Sequence, residues 1–399
     1  MIEFLENGSV TSPKGYLAGA ASCGIKTEGL DLAVLFSETP CAATGLFTTN
    51  KVKAAPVLVS QRHLADGRAQ AIVVSSGNAN ACTGDDGYAK AEEMAALVAK
   101  KVGIAADDVL VASTGIIGVP LPIERIRNGI NTVVLSPEGG HQAAQAIITT
   151  DTRTKEVACA VRLSGRTITV GGMTKGAGMI HPNMATMLTF ITTDAAVEKS
   201  FLATALRRAV DVSFNMISVD GDTSTNDTVI LLANGKAGNE MLTGDSPDAA
   251  AFETALQQVA ISLAKAIARD GEGATKLIEV TVSGAASTAD ARLAARAVVK
   301  SNLVKSAVYG SDPNWGRILA AIGYSGAEVD QNRVDISIGD LVLMRQGIIQ
   351  PFDKAYASSK LKTPEVFIKA DLHLGDGTAT AWGCDLTEEY VAVNSEYST

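Results

Sequence analysis

Three observations predict an α+β protein built in layers. Short apolar runs bounded by glycine or polar clusters alternate with alanine-rich stretches of helical period along the whole chain. Two neighbouring runs, 156–163 and 167–172, are joined only by the tight turn "SGRT", which suits an antiparallel hairpin and breaks any regular βαβ order. The 399 residues exceed what one ordinary core organises, so two lobes, or one large layered domain with an appendage, are expected.

The elements follow in order. "DLAVLF" (31–36) and "AIVVSS" (71–76) are continuous aliphatic runs, short enough to be buried strands. Residues 89–102 place alanine and leucine at helical spacing between charges and read as a helix. The hairpin "EVACAVRL" and "TITVGG" comes next, then "MLTFITTDA" (187–195) as a further strand. Residues 196–212 and 248–269 read as helices flanking the strand "TVILLAN", each starting near a polar or acidic capping residue. Behind them "LIEVTVSG", a helix over 286–300 and "RVDISIG" continue the alternation, with no fixed-period repeat or low-complexity tract.

Composition narrows the function classes. No run of about 18 apolar residues is present to span a bilayer, so no membrane partner is expected. A net charge of −9 with no basic cluster argues against nucleic acid as a partner. The start "MIEFLENGSV" lacks both the basic and the apolar region of a secretory signal, which makes the cytoplasm the expected location. The five cysteines, Cys23, Cys41, Cys82, Cys159 and Cys384, form no C-x-x-C pair and read as reduced thiols. Four histidines, none at i, i+4 from another, leave little imidazole for a metal site or a base, so neither metal nor cofactor is expected.

Several loops invite a chemical reading. Asp220, Asp222 and Asn226 open like a calcium loop, but Thr225 stands where glycine is needed and Leu231 where a bidentate Glu should close it. "DGEGATK" lacks the spacing of a phosphate loop, although Glu272 between two glycines behind a helix is a setting that presents a carboxylate in a cleft. Backbone N–H groups around Thr114 and Gly115, in "ASTGIIGVPLP", could converge on an anion, as could those of an ordinary turn.

The run "TKGAGMIHPNMATMLTF" (174–190) differs from these. It puts Lys175, Gly176, Gly178 and Pro182 before Thr186, which stands at the entry to a strand. A threonine hydroxyl needs a base to act as a nucleophile. With so few histidines, cleavage of the Ala185–Thr186 bond would release the α-amine of Thr186 itself, which titrates at about 7.7–8.0, within reach of its own hydroxyl. On the residues alone, a strand-entry threonine among core methionines is the competing reading.

"KGAGMIHPNMATML" resembles the cleavage-site signature of the ornithine acetyltransferase family, the self-processing glutamate N-acetyltransferases of arginine biosynthesis. "SGNANACTG", "STGIIGVPLP", "TTDTRTK", "SVDGDTSTNDT", "ARDGEGATK", "SDPNWGRILAAIGYSG" and the tail "AWGCDLTEEYVAVNSEYST" resemble further family blocks in the expected order, over nearly the whole chain. The resemblance implies cutting between Ala185 and Thr186 into chains 1–185 and 186–399 that stay associated, commonly as α2β2. It implies Thr186 as nucleophile and Thr114 and Gly115 as oxyanion hole. The implied substrate contacts are Thr152, Lys175, Thr186, Glu272, Asn394 and Thr399, with acetyl passing from N-acetylornithine to glutamate through an acetyl-threonine. Whether acetyl-CoA also donates stays open, because the family contains both kinds. The implied fold is a layered α/β/β/α sandwich similar to N-terminal-nucleophile hydrolases but differently connected, with a smaller C-terminal lobe over approximately 280–399. An amidase or aminopeptidase on a similar fold, a paralogue in a specialised pathway and an uncleaved binding protein are the rival expectations.

Overall fold

The computed structural model describes residues 2–181 and 187–396. In chain order its strands are β1 (Ile2–Phe4), β2 (Tyr16–Ala21), β3 (Leu32–Phe47), β4 (Arg68–Asn78), β5 (Val109–Ile116), β6 (Lys155–Leu163), β7 (Arg166–Lys175), β8 (Leu188–Thr193), β9 (Ile217–Ser218), β10 (Thr228–Ala233), β11 (Leu277–Ala285), β12 (Asp335–Ile338), β13 (Leu341–Arg345), β14 (Ile348–Ile349), β15 (Glu365–Asp371) and β16 (Gly377–Cys384). The helices are α1 (Ala55–His63), α2 (Gly84–Val102), α3 (Ile123–Thr132), α4 (Gly140–Ile147), α5 (Lys199–Asp211), α6 (Ala249–Arg269), α7 (Thr288–Lys300), α8 (Asn302–Tyr309), α9 (Trp315–Gly323), α10 (Lys354–Ser359) and α11 (Glu388–Glu396).

The fold is α+β, with two mixed sheets. The larger runs β1-β6-β7-β8-β10-β3-β4-β5, with β2 paired to β3. The expected hairpin is present as β6 and β7, antiparallel from Lys155↔Thr174 to Leu163↔Arg166. β8 and β10 run parallel from Leu188↔Thr228 to Thr193↔Ala233.

Strand alternation explains the layering. Ala71, Val73, Val109 and Val111 face a core built with α1, α2 and α3, whereas the intervening Ile72, Val74, Leu110 and Ala112 face Met173, Phe190, Ile230 and Leu232 on the other half of the sheet. Ile191, Val229 and Leu231 point the opposite way, into the core formed with α5 and α6. The sheet is thus folded on itself into an α/β/β/α sandwich, its two halves joined by β3, whose pairing with β4 slips between Phe36 and Cys41. β8 and β10 are buried along their whole length because both faces are covered, which is why they read as continuous apolar runs.

The smaller sheet runs β14-β13-β12-β15-β11-β16-β9, with α7 packed on β11 and β16. α6 touches both sheets, so its C-terminal end and the loop behind it lie where the two meet. Among the described residues no helix is long and apolar enough to cross a membrane.

Candidate active site

At that junction is a cavity of about 150 Å³, floored by the ends of β5 and β7 and closed by the loop after α6, the loop 220–227 and α11. It is lined by Thr114, Gly115, Lys175, Glu272 and Asn394, which the sequence distributes over some 280 positions, and by Met187, the residue after Thr186. Thr152 does not line it: this exposed residue donates from its backbone N–H to Asp270 Oδ2 at 3.1 Å, and its hydroxyl also hydrogen-bonds Asp270. Ala185, Thr186 and Thr399 lie outside the described residues.

Thr114 and Gly115 lie near the end of β5, just before its last residue Ile116, where its parallel pairing with β4 loses register. Gly115 has φ +132°, and a Cβ there would stand 2.3 Å from the backbone carbon of Gly77, so this turn admits no side chain. Lys175 ends β7, and its Nζ donates to Thr114 Oγ1 at 3.2 Å and to Thr149 Oγ1 at 2.7 Å. Burial pushes the Lys175 ammonium pKa down; Asp151 opposes that shift.

Glu272 reaches the cavity because Asp270 ends α6 and the Glu272 N–H is tied to Ala177 O at 3.0 Å. Its Oε2 accepts Asn394 Nδ2 at 2.8 Å, and Asn394 also donates to Tyr390 O, so α11 closes over the carboxylate. Gly178 leaves the space that the Glu272 carboxylate fills.

Sequence reasoning missed the charged groups beneath this cavity. Lys155 is 1% exposed and bonds Asp151 Oδ1 at 2.6 Å and Asp270 Oδ2 at 2.5 Å. Asp151 also accepts the Gly176 N–H at 2.7 Å and the Thr149 N–H at 3.0 Å. Burial alone would raise the Asp151 pKa, but the Lys175 and Lys155 cations hold it down at about 2. A lysine at the start of a strand, four residues after an aspartate, was the available signal. The rejected calcium-like loop serves the backbone instead, since Asp220 accepts the N–H groups of Met179 at 2.6 Å and Ile180 at 2.8 Å.

Fold and site together define a mixed α+β protein with a small polar cavity lined by the Lys175 cation, the carboxylates of Asp220, Asp222, Asp227 and Glu272, and hydroxyl and backbone donors. Residues 17–399 match the model of the ArgJ family. The chain is 57% identical to the arginine biosynthesis bifunctional protein ArgJ of Symbiobacterium thermophilum, over 98% of this chain and 99% of that one. It is 53% identical to the protein of the same name in Dehalococcoides mccartyi, over 100% and 99%. A crystal structure of arginine biosynthesis bifunctional protein ArgJ from Bacillus halodurans matches with a TM-score of 0.51 and 52% identity, covering 52% of this chain and 98% of that one. The chain belongs to the ArgJ family and is an enzyme of arginine biosynthesis, a glutamate N-acetyltransferase.

Proposed function

We propose that the chain cuts itself between Ala185 and Thr186 and then moves an acetyl group from N2-acetyl-L-ornithine to L-glutamate through an acetyl-Thr186 intermediate. The observation that carries this reading is the convergence on one cavity of Thr114, Gly115, Lys175, Glu272 and Met187, the last being the residue that follows Thr186. The crystallised relative from Bacillus halodurans adds support: its chain is about half the length of this one, as a fragment of a cut precursor would be.

In the cut, Thr186 Oγ attacks the Ala185 carbonyl carbon. The C–N bond breaks, and the nitrogen takes the hydroxyl proton to become a free amine. Water then adds to the ester, whose C–O bond breaks to give the Ala185 carboxylate and regenerate the hydroxyl. In transfer, the freed amine takes the Oγ proton as Oγ attacks the acetyl carbonyl, and returns it to the departing ornithine α-amine. The glutamate amine attacks the resulting ester and gives up a proton as Oγ leaves, forming N-acetylglutamate. Thr114 and the Gly115 N–H hold the oxyanion of each tetrahedral intermediate, where loss of one donor typically costs about 2.7–4 kcal/mol.

Lys175 is assigned to the substrate carboxylate and Glu272 to the distal ammonium of ornithine, with Asn394 and Thr399 as further contacts; Thr152, bonded to Asp270 outside the cavity lining, acts through that carboxylate. The two fragments form an α2β2 assembly in the cytoplasm. The description of its relatives as bifunctional favours a second donor, for which we propose acetyl-CoA; an assay with acetyl-CoA and glutamate alone tests it. Mass spectrometry of the purified protein tests the central claim. Fragments 1–185 and 186–399 are expected, and an intact 41.2 kDa chain from Thr186→Ala with no transferase activity. Turnover by an uncut chain, or hydrolysis of N-acetylornithine without transfer to glutamate, would overturn it.

A further inference from the structure

We propose that Asp151 is a positioning residue for the transfer reaction: it holds the Lys175 ammonium in the cavity and is itself held by Lys155, which ties it to Asp270. The inference rests on the reading of Lys175 as the substrate-carboxylate contact.

Lys175 and Asp151 are 3.9 Å apart, both inaccessible or nearly so, at 10% and 0% exposure of their side chains. The Lys175 head group donates to two hydroxyls, Thr114 Oγ1 and Thr149 Oγ1, and neither neutralises it. A buried ammonium without a nearby anion sheds its proton. Asp151 is the strongest influence keeping the charge on Lys175, ahead of Glu272 and Asp227, while Lys155 acts against it. Lys26, from the loop between β2 and β3, also bears on Lys175; its Nζ donates to Ile148 O at 3.0 Å.

The same carboxylate fixes the geometry. It accepts the N–H of Thr149, whose hydroxyl receives Lys175, and the N–H of Gly176, the residue after Lys175. Both ends of the lysine's surroundings are therefore set by one side chain. Lys155 then couples that carboxylate to Asp270, two residues before Glu272. The cation and the carboxylate proposed to grip opposite ends of the substrate are spaced by a buried bridge that touches neither end.

The test is the pH profile of kcat/KM for N-acetylornithine and glutamate. Lys175 acts protonated, so it contributes an alkaline limb: activity falls as pH rises through its pKa. Asp151→Asn removes the opposing anion, lowers that pKa and moves the limb down by about one to three pH units, the span expected for an opposite charge at this range. Lys155→Gln removes a competing cation and moves the limb up. The limb of the substrate's own ammonium is common to all variants and stays in place. A purely structural role for Asp151 and Lys155 would lower activity at every pH without moving the limb, and that result overturns the inference. Where D151N does not yield folded protein by its thermal unfolding, the direction of the K155Q shift decides. Lys175→Met tests the underlying reading separately: an unchanged KM for N-acetylornithine sinks the role of Lys175 itself.

Discussion

At residue 178 the chain has no side chain because the Glu272 carboxylate occupies the volume one would need: a Cβ on Gly178 would stand 2.4 Å from Glu272 Oε2. The obstacle is the far end of a flexible side chain, so Gly178→Ala is accommodated by swinging Glu272 away. Thermal stability should stay close to that of the parent. The KM for N-acetylornithine should rise about tenfold or more, the loss of one charge-assisted hydrogen bond. Unchanged steady-state kinetics would show that the carboxylate position does not matter for binding. At this scale the sequence was partly legible. A glutamate between two glycines behind a helix announced a presented carboxylate, and Glu272 does line the cavity. The Lys155–Asp270 arm of the buried bridge was not legible, because these two residues are 115 positions apart and no periodicity links a lysine in a strand to the end of a helix. Thr152 sits beside that bridge, bonded to Asp270, and is not a lining group.

The elements that the pattern found are those with an apolar face to bury. The helix expected over 248–269 is α6, with Phe252, Leu256, Val259, Leu263 and Ile267 buried along one stripe, and 286–300 is α7, whose cap Ser287 accepts the Asp290 N–H. The pattern stopped "DLAVLF" at residue 36, whereas β3 continues to Phe47 through "SETPCAATG", a stretch too polar and too rich in small residues to signal a strand. Its extension is dictated by partners remote in sequence, β10 and β4, and only the folded chain supplies them. α11 is the opposite case. None of its residues is buried, and its ties are polar: Asn394 to Glu272, Glu388 to the Tyr309 hydroxyl, and Tyr390 to Asp220. Local opening free energy follows buried contacts, so amide hydrogens of α11 should exchange far sooner than those of α6, and should slow when N-acetylornithine is bound. Equal protection in the two helices would refute a weakly held closing element.

Across the whole molecule, the expected α/β/β/α layering is present, and its connectivity decides what self-cleavage would do. In the larger sheet the order β6-β7-β8-β10-β3-β4 takes β6, β7, β3 and β4 from residues before 185 and β8 and β10 from residues after 186. The later strands are therefore inserted in the middle of the earlier ones, bonded on one side from Lys175↔Leu188 to Val170↔Thr193 and on the other from Phe47↔Thr228 to Ala42↔Ala233. Leu188, Phe190, Ile191, Val229, Ile230, Leu231 and Leu232 are all at most 2% exposed, and at about 1.5–3 kcal/mol each they contribute on the order of 10–20 kcal/mol before ordering costs. Nanomolar association needs about 12 kcal/mol, and α6 over β6 and β7 adds a second shared core. Cutting the 185–186 bond should therefore leave the fragments inseparable under native conditions. Native mass spectrometry should find them only together, in multiples of one of each, while denaturing gels resolve two bands. Release of a free fragment by dilution or salt alone would mean that the inserted strands do not hold the two chains, and would contradict this topology.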